Sequence, residues 1–131
     1  MSETADDTEK VNILLVDDRP GNLLSLKGVL ERPDYNLIMA RSGQEALSLV
    51  LRHEFAVILM DVAMPEMDGF AVARAIRSHP EFKNTKIIAV SGFAHESNRA
   101  KAKECGIDCY FVKPVVPDEL HHEIDEEEKL H

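Results

Sequence analysis

The chain has 131 residues, 44% of them hydrophobic, with a formal net charge of −9, which suits one domain around a single packed core. No apolar run approaches the roughly 18 residues a membrane span needs, and the polar, acidic first ten residues hold no apolar signal segment, so a cytoplasmic protein is expected. Residues 1–10 carry four acids against Lys10 and residues 118–131 carry seven against Lys129, so 11–117 sum to zero, which argues against nucleic-acid binding, since that favours a basic face.

Asn12–Val16 reads as a first strand, its apolar run ending at Asp17 and Asp18. A helix follows from about Pro20 to Glu31, with Pro20 at a first-turn position where no amide hydrogen is needed. Asn36–Ala40 is the second strand, and Gly43–Arg52 a helix that places Ala46, Leu47 and Val50 on one face. Ala56–Met60 is the third strand, directly before Asp61. A loop from Val62 to Asp68 leads into a helix over Gly69–Ser78, which ends at His79-Pro80 because the residue before proline avoids helical angles. Lys86–Val90 is the fourth strand, ahead of Ser91. A fourth helix, Glu96–Cys105, closes at Gly106 as a left-handed cap. Cys109–Val112 is the fifth strand, ahead of Lys113, and a last helix starts near Pro117. Cys105 and Cys109, the only two cysteines, read as buried thiols with no disulfide implied.

Strand and helix alternate five times, which favours an α/β fold with a parallel sheet and helices on both faces, doubly wound by right-handed crossovers. Ligands of such sheets bind outside the carboxyl ends of the strands, where Asp17, Asp18, Asp61, Ser91 and Lys113 all fall. Like charges in one site repel, so the three aspartates point to Mg²⁺, which takes oxygen ligands and retains waters. A carboxylate can also act as a nucleophile and form an aspartyl phosphate. Lys113 can neutralise phosphoryl oxygens and Ser91 can donate to one. Metal, nucleophile and charge stabilisation are the parts phosphoryl transfer needs, with Asp61 the acceptor.

At these residues the chain resembles the receiver domain of bacterial two-component response regulators. The matching segments are Ile13-Leu14-Leu15-Val16-Asp17-Asp18, Met60-Asp61-Val62-Ala63-Met64-Pro65-Glu66-Met67-Asp68-Gly69, Val90-Ser91-Gly92 and Phe111-Val112-Lys113-Pro114. They occur in order, each at a strand end, within a domain over 11–125 flanked by acidic tails, 1–10 and 126–131. The resemblance implies a flavodoxin-like strand order 2-1-3-4-5. It implies that Asp61 accepts a phosphoryl group from a histidine kinase or a histidine phosphotransfer protein. Asp18, Asp61 and the backbone carbonyl of Ala63 would contact Mg²⁺, and Asp17 would act through a water. Lys113 would contact the phosphoryl group and Asp61, with a cis bond to Pro114. Ser91 and Tyr110 would be the switch pair, and helix four, strand five and helix five the surface read by a downstream protein partner; a homodimer stays open.

The resemblance implies no enzyme beyond self-phosphorylation and self-dephosphorylation, although a parent hybrid chain could be a histidine kinase. Asp18-Arg19-Pro20-Gly21-Asn22-Leu23 looks similar to receivers attached to such kinases. Ser91 stands where Thr is more frequent, Gly92 where Ala is, and Ala63 lacks a polar side chain; these choices bear on phosphoryl lifetime. Three other readings compete. The aspartates after strand one could merely cap the helix. A phosphatase with an aspartyl nucleophile would want a second acid where Ala63 stands. A degenerate receiver acting as a phosphorylation-independent binding module would lack a key residue, and none is missing.

Overall fold

A computed structural model of the chain describes residues 10–64, 67–92, 96–113 and 115–129. Five parallel strands form one sheet: β1 (Val11–Val16), β2 (Tyr35–Ala40), β3 (Val57–Asp61), β4 (Lys86–Ser91) and β5 (Cys109–Val112), in the spatial order β2-β1-β3-β4-β5. The helices are α1 (Pro20–Leu30), α2 (Gly43–Arg52), α3 (Gly69–Arg77), α4 (Glu96–Glu104) and α5 (Pro117–Lys129). Fold class and strand order are therefore as expected.

The central strands alternate their side chains between two cores because strand residues have a period of two. Leu14, Val16, Ile58, Met60, Ile87 and Ala89 meet Ala46 and Val50 of α2, Val72 and Ile76 of α3, and Ala102 of α4. Ile13, Leu15, Val57, Leu59, Ile88 and Val90 meet Leu23 and Leu30 of α1 and Leu120 and Ile124 of α5. A strand covered on both faces must be apolar at every position, and β3 is buried throughout.

The helix ends follow local chemistry. Ser42 Oγ accepts from the Glu45 amide at 3.0 Å while Glu45 Oε1 accepts from the Arg41 amide at 2.8 Å, a variant of the capping box. Gly106 sits at φ 89°, and the amides of Gly106 and Ile107 donate to Lys103 O and Ala102 O, closing α4 as a Schellman motif. The expected left-handed cap is thus present. The stretch read as a plain loop after β3 instead holds a two-residue antiparallel ladder, Ala63–Met64 with Met67–Asp68, too short to leave a period in the sequence.

The stretch expected as an acidic tail, 126–131, is helical as far as Lys129. Helix α5 begins at Pro117, as expected, and runs to Lys129. Asp125 accepts from Tyr35 Oη at 2.9 Å and pairs with Arg32 at 3.2 Å. The His121 ring stacks on Tyr35 with centroids 5.7 Å apart, so His121 is part of this clasp. Burial alone would raise the Asp125 carboxyl, but the Tyr35 hydroxyl and the Arg32 guanidinium outweigh it and hold it below the usual range.

A second tie gives a pH prediction. Lys86 Nζ donates to Glu123 Oε1 at 2.7 Å and to the Glu123 carbonyl at 3.0 Å. The Lys86 hydrogen bond, then that of Cys109, holds the Glu123 carboxyl below its usual value, while burial, then Glu123, pushes the Cys109 thiol up to about 12. A carboxyl lowered on folding contributes stability that is fully present above its unfolded pKa and is lost as pH falls from there through its lower folded value. Glu123→Gln is therefore expected to cost about 1 kcal/mol at neutral pH. Urea unfolding at neutral pH and again in acid checks this: the difference from wild type should shrink as the medium acidifies.

Candidate functional site at the carboxyl edge of the sheet

Strand register brings the expected site residues to one edge. Val16 pairs with Met60, so Asp17 is level with Asp61. Asp61 pairs with Val90, and Ser91 with Val112, so Ser91 and then Lys113 lie one step further along their strands. Asp17 and Ser91 are almost wholly buried and Asp61 is 8% exposed. These buried polar groups at the ends of apolar strands mark the edge as a site rather than more core.

Lys113 Nζ donates to Asp61 Oδ2 at 3.1 Å. Asp17 Oδ1 accepts from the Arg19 amide at 3.0 Å and its Oδ2 from Asn22 Nδ2 at 3.2 Å. Burial raises the Asp17 carboxyl above its usual value, and the charge of Asp61 adds to this. The Arg19 amide, Asn22 and Lys113 pull the other way without cancelling it. Asp18 differs: its Oδ1 is buried and has no hydrogen-bond partner. Arg19 occupies the N-cap position of α1 and Asp17 meets only the Arg19 amide at the helix entry, so neither aspartate stands at the cap position itself.

A buried carboxylate oxygen without a donor is costly unless a cation meets it. The donor set at this edge is all oxygen, which suits a hard cation such as Mg²⁺. No group of three His, Cys, Asp or Glu side chains among the described residues forms a ready metal cage. Mg²⁺ does not need one, because it uses one or two carboxylates and keeps waters and phosphate oxygens.

Ser91 and Tyr110 share a sheet face. Tyr110 pairs with Ala89, two residues before Ser91, and packs against the α2–α4 core. Its half-buried ring lies 5.2 Å from the Arg99 guanidinium carbon of α4, and Arg99 reaches the Tyr110 carbonyl at 3.4 Å. Helix α4 is thus tied to β5 through Arg99. Pro114 and its expected cis bond lie outside the described residues, as does the side chain of Ala63.

Two residues that stand in the quoted segments without a role assigned to them complete the edge. Asn22 holds Asp17 from the first turn of α1. Gly69 opens α3 so close to the acceptor strand that a Cβ there would lie 2.7 Å from Val62 Cα and 3.0 Å from the Asp61 carbonyl oxygen. The available signals were slight: a polar residue in a helix's first turn, and a glycine at a helix start that needs no left-handed angle.

A doubly wound α/β domain with aspartates, a serine and a lysine gathered at the carboxyl edge of its sheet is the architecture that the sequence resemblance implies. The model for the response regulator receiver domain matches residues 13–125, and the chain belongs to that family. It is 42% identical over 108 residues to the transcriptional regulatory protein SrrA of Staphylococcus aureus, covering 82% of this chain and 44% of that protein. The chain thus spans less than half the length of this curated relative. Its fold is similar to the chemotaxis response regulator CheY4 of Vibrio cholerae, with a TM-score of 0.80, 28% identity, and 90% and 98% of the two chains covered. It is also similar to the receiver domain of a signal transduction histidine kinase from Syntrophus aciditrophicus, with a TM-score of 0.80, 29% identity and 89% of each chain covered.

Proposed function

We infer that this receiver domain takes up a phosphoryl group on Asp61 and thereby changes a protein-binding surface. The observation that carries the reading is the Asp61–Lys113 contact of 3.1 Å beside Asp17 and Asp18 at the sheet edge. Asp61 Oδ attacks the phosphorus of a phosphohistidine on a kinase or phosphotransfer protein. An O–P bond forms, the N–P bond breaks, and the departing imidazole recovers a proton. Lys113 draws the phosphoryl oxygens by charge, and the Ser91 hydroxyl donates to one of them.

Asp18, Asp61 and the Ala63 carbonyl would hold Mg²⁺, with Asp17 acting through a water. Bound there, the cation offsets the charge that gathers on the phosphoryl oxygens. Turning the Ser91 hydroxyl toward the phosphoryl group frees space on the face it shares with Tyr110, and the ring moves inward; local electrostatics thus biases a two-state element. The changed surface is α4, β5 and α5, and its readers are proteins.

The charges of residues 11–117 sum to zero, which argues against nucleic acid as the reader, and among the described residues no helix is long and apolar enough to cross a membrane. The cytoplasmic location and the boundaries 11–125 belong to this same proposal. A phosphorylation-independent binding module is the second reading; the orphaned Asp18 oxygen weighs against it.

Incubation with acetyl phosphate and Mg²⁺, followed by a phosphate-affinity gel, tests the proposal. Wild type should give a retarded band that EDTA removes, and no retardation at all would defeat it. Lys113→Ala should slow uptake by about 10²–10³-fold, the usual cost of losing one group that stabilises transition-state charge. The rate of band appearance at saturating Mg²⁺ is the measurement.

A further inference from the structure

The acids at the edge are not held alike. Asp61 has Lys113, and Asp17 has one donor on each oxygen, while the buried Asp18 oxygen has none. The Arg19 amide is a local turn contact two residues from Asp17, available to any aspartate in that position. The Asn22 contact is different, because it comes from a side chain on the helix. It determines which way the second Asp17 oxygen faces.

Without that bond only the Arg19 amide holds Asp17, and its second oxygen can turn toward Asp18 and Asp61. Like charges would then crowd where a cation should enter. Asn22 is half-buried and also lines an open groove of about 470 Å³ between α1 and the α5 side, with Leu26, Val29, Val115 and Leu120 on its walls. Asn22 therefore touches both the acidic edge and the groove beneath it.

We propose that Asn22 is a positioning residue for the cation site: its carboxamide pins Asp17 so that Asp18 and Asp61 are presented to the ion. It makes no contact with the ion itself and acts through Asp17. This rests on the reading of the edge as a Mg²⁺ and phosphoryl site. Groups that orient a metal's ligands typically contribute about 10–100-fold to affinity.

The test is a Mg²⁺ titration of the whole chain, followed by amide chemical shifts of Asp18, Arg19 and Asp61. Asn22→Leu keeps the volume without the donor, and Asn22→Ala removes both. Both should weaken Mg²⁺ binding by about tenfold and shift the Arg19 amide before any ion is added. Ser25→Ala, a change on the same groove wall, should leave the affinity unchanged. In an Asp17→Ala background Asn22→Leu should have no further effect, because its route of action is gone.

The amide spectrum without Mg²⁺ shows whether each variant is folded, and Asn22→Ala and Asn22→Leu serve as independent checks on one another. Wild-type affinity in the folded Asn22 variants, or an equal loss with Asp17 already removed, would overturn the positioning role alone. Failure of wild type to bind Mg²⁺ would overturn the site reading and this proposal together.

Discussion

Asp61→Asn is expected to abolish phosphoryl uptake from acetyl phosphate while leaving the fold in place. The amide has the carboxylate's size but not its nucleophilic oxygen, and the end of β3 where it sits is held by core packing on both faces. Removing the charge costs Lys113 its partner at 3.1 Å, but that lysine is 38% exposed and can turn to water. The same change relieves the repulsion that Asp61 exerts on buried Asp17. The two effects oppose each other, so the stability change should stay within about 1 kcal/mol. A phosphate-affinity gel should show no retarded band for the variant, and thermal unfolding should give a midpoint close to that of wild type. A variant that still shifts would place the acceptor elsewhere.

Gly69→Val should damage fold and site together. The first atom of any side chain at this position meets Val62 Cα at 2.7 Å and the Asp61 carbonyl oxygen at 3.0 Å. Both are backbone, so neither can rotate away as a flexible side chain would. Either α3 withdraws from the sheet or the acceptor strand end is pushed out of line. Overpacking of this kind costs about 2 kcal/mol, and the loss should appear as a lower urea midpoint together with slower phosphoryl uptake. Gly28 is the contrast: a Cβ there meets nothing within 4 Å, and it lies inside α1, so Gly28→Ala should gain about 1 kcal/mol and leave uptake unchanged. Equal stability of wild type and Gly69→Val would mean that the close approach carries no constraint.

Much of the architecture was legible in the sequence because the strands are buried on both faces. Val57-Ile58-Leu59-Met60 can only be a covered strand or a buried helix turn, and its spacing from the helices on either side decides for the strand. The site was legible for the same reason: Asp17, Asp61, Ser91 and Lys113 each break an apolar run, and the parallel topology then gathers them at one edge. Strand ends were placed within a residue or so; Asp61 and Ser91 themselves belong to β3 and β4, a matter of pairing that composition does not reveal.

What could not be read depends on distance. Asn22 looks like an ordinary helix residue until its amide is seen 3.2 Å from Asp17. Gly69 looks like a helix start until its separation from Val62 is known. The contacts of His121 and Asp125, at the end of the expected domain, could not be read because the surrounding acids dominate the composition. Yet Leu120 and Ile124, four apart on one helix face, dock α5 onto the sheet and carry those two residues to Tyr35. A short apolar spacing outweighed a long charge run because burial of two large side chains contributes several kcal/mol, while solvated charges contribute little either way.

The phosphoryl group is expected to reside on the Asp61 carboxylate. An acyl phosphate can be reduced by borohydride, which leaves homoserine where the aspartate stood. Wild-type protein treated with acetyl phosphate and Mg²⁺, reduced, digested and sequenced by mass spectrometry should carry homoserine at position 61 and at no other aspartate. Homoserine at position 17 or 18, or unmodified Asp61 in protein that shows a retarded band on the phosphate-affinity gel, would contradict the account.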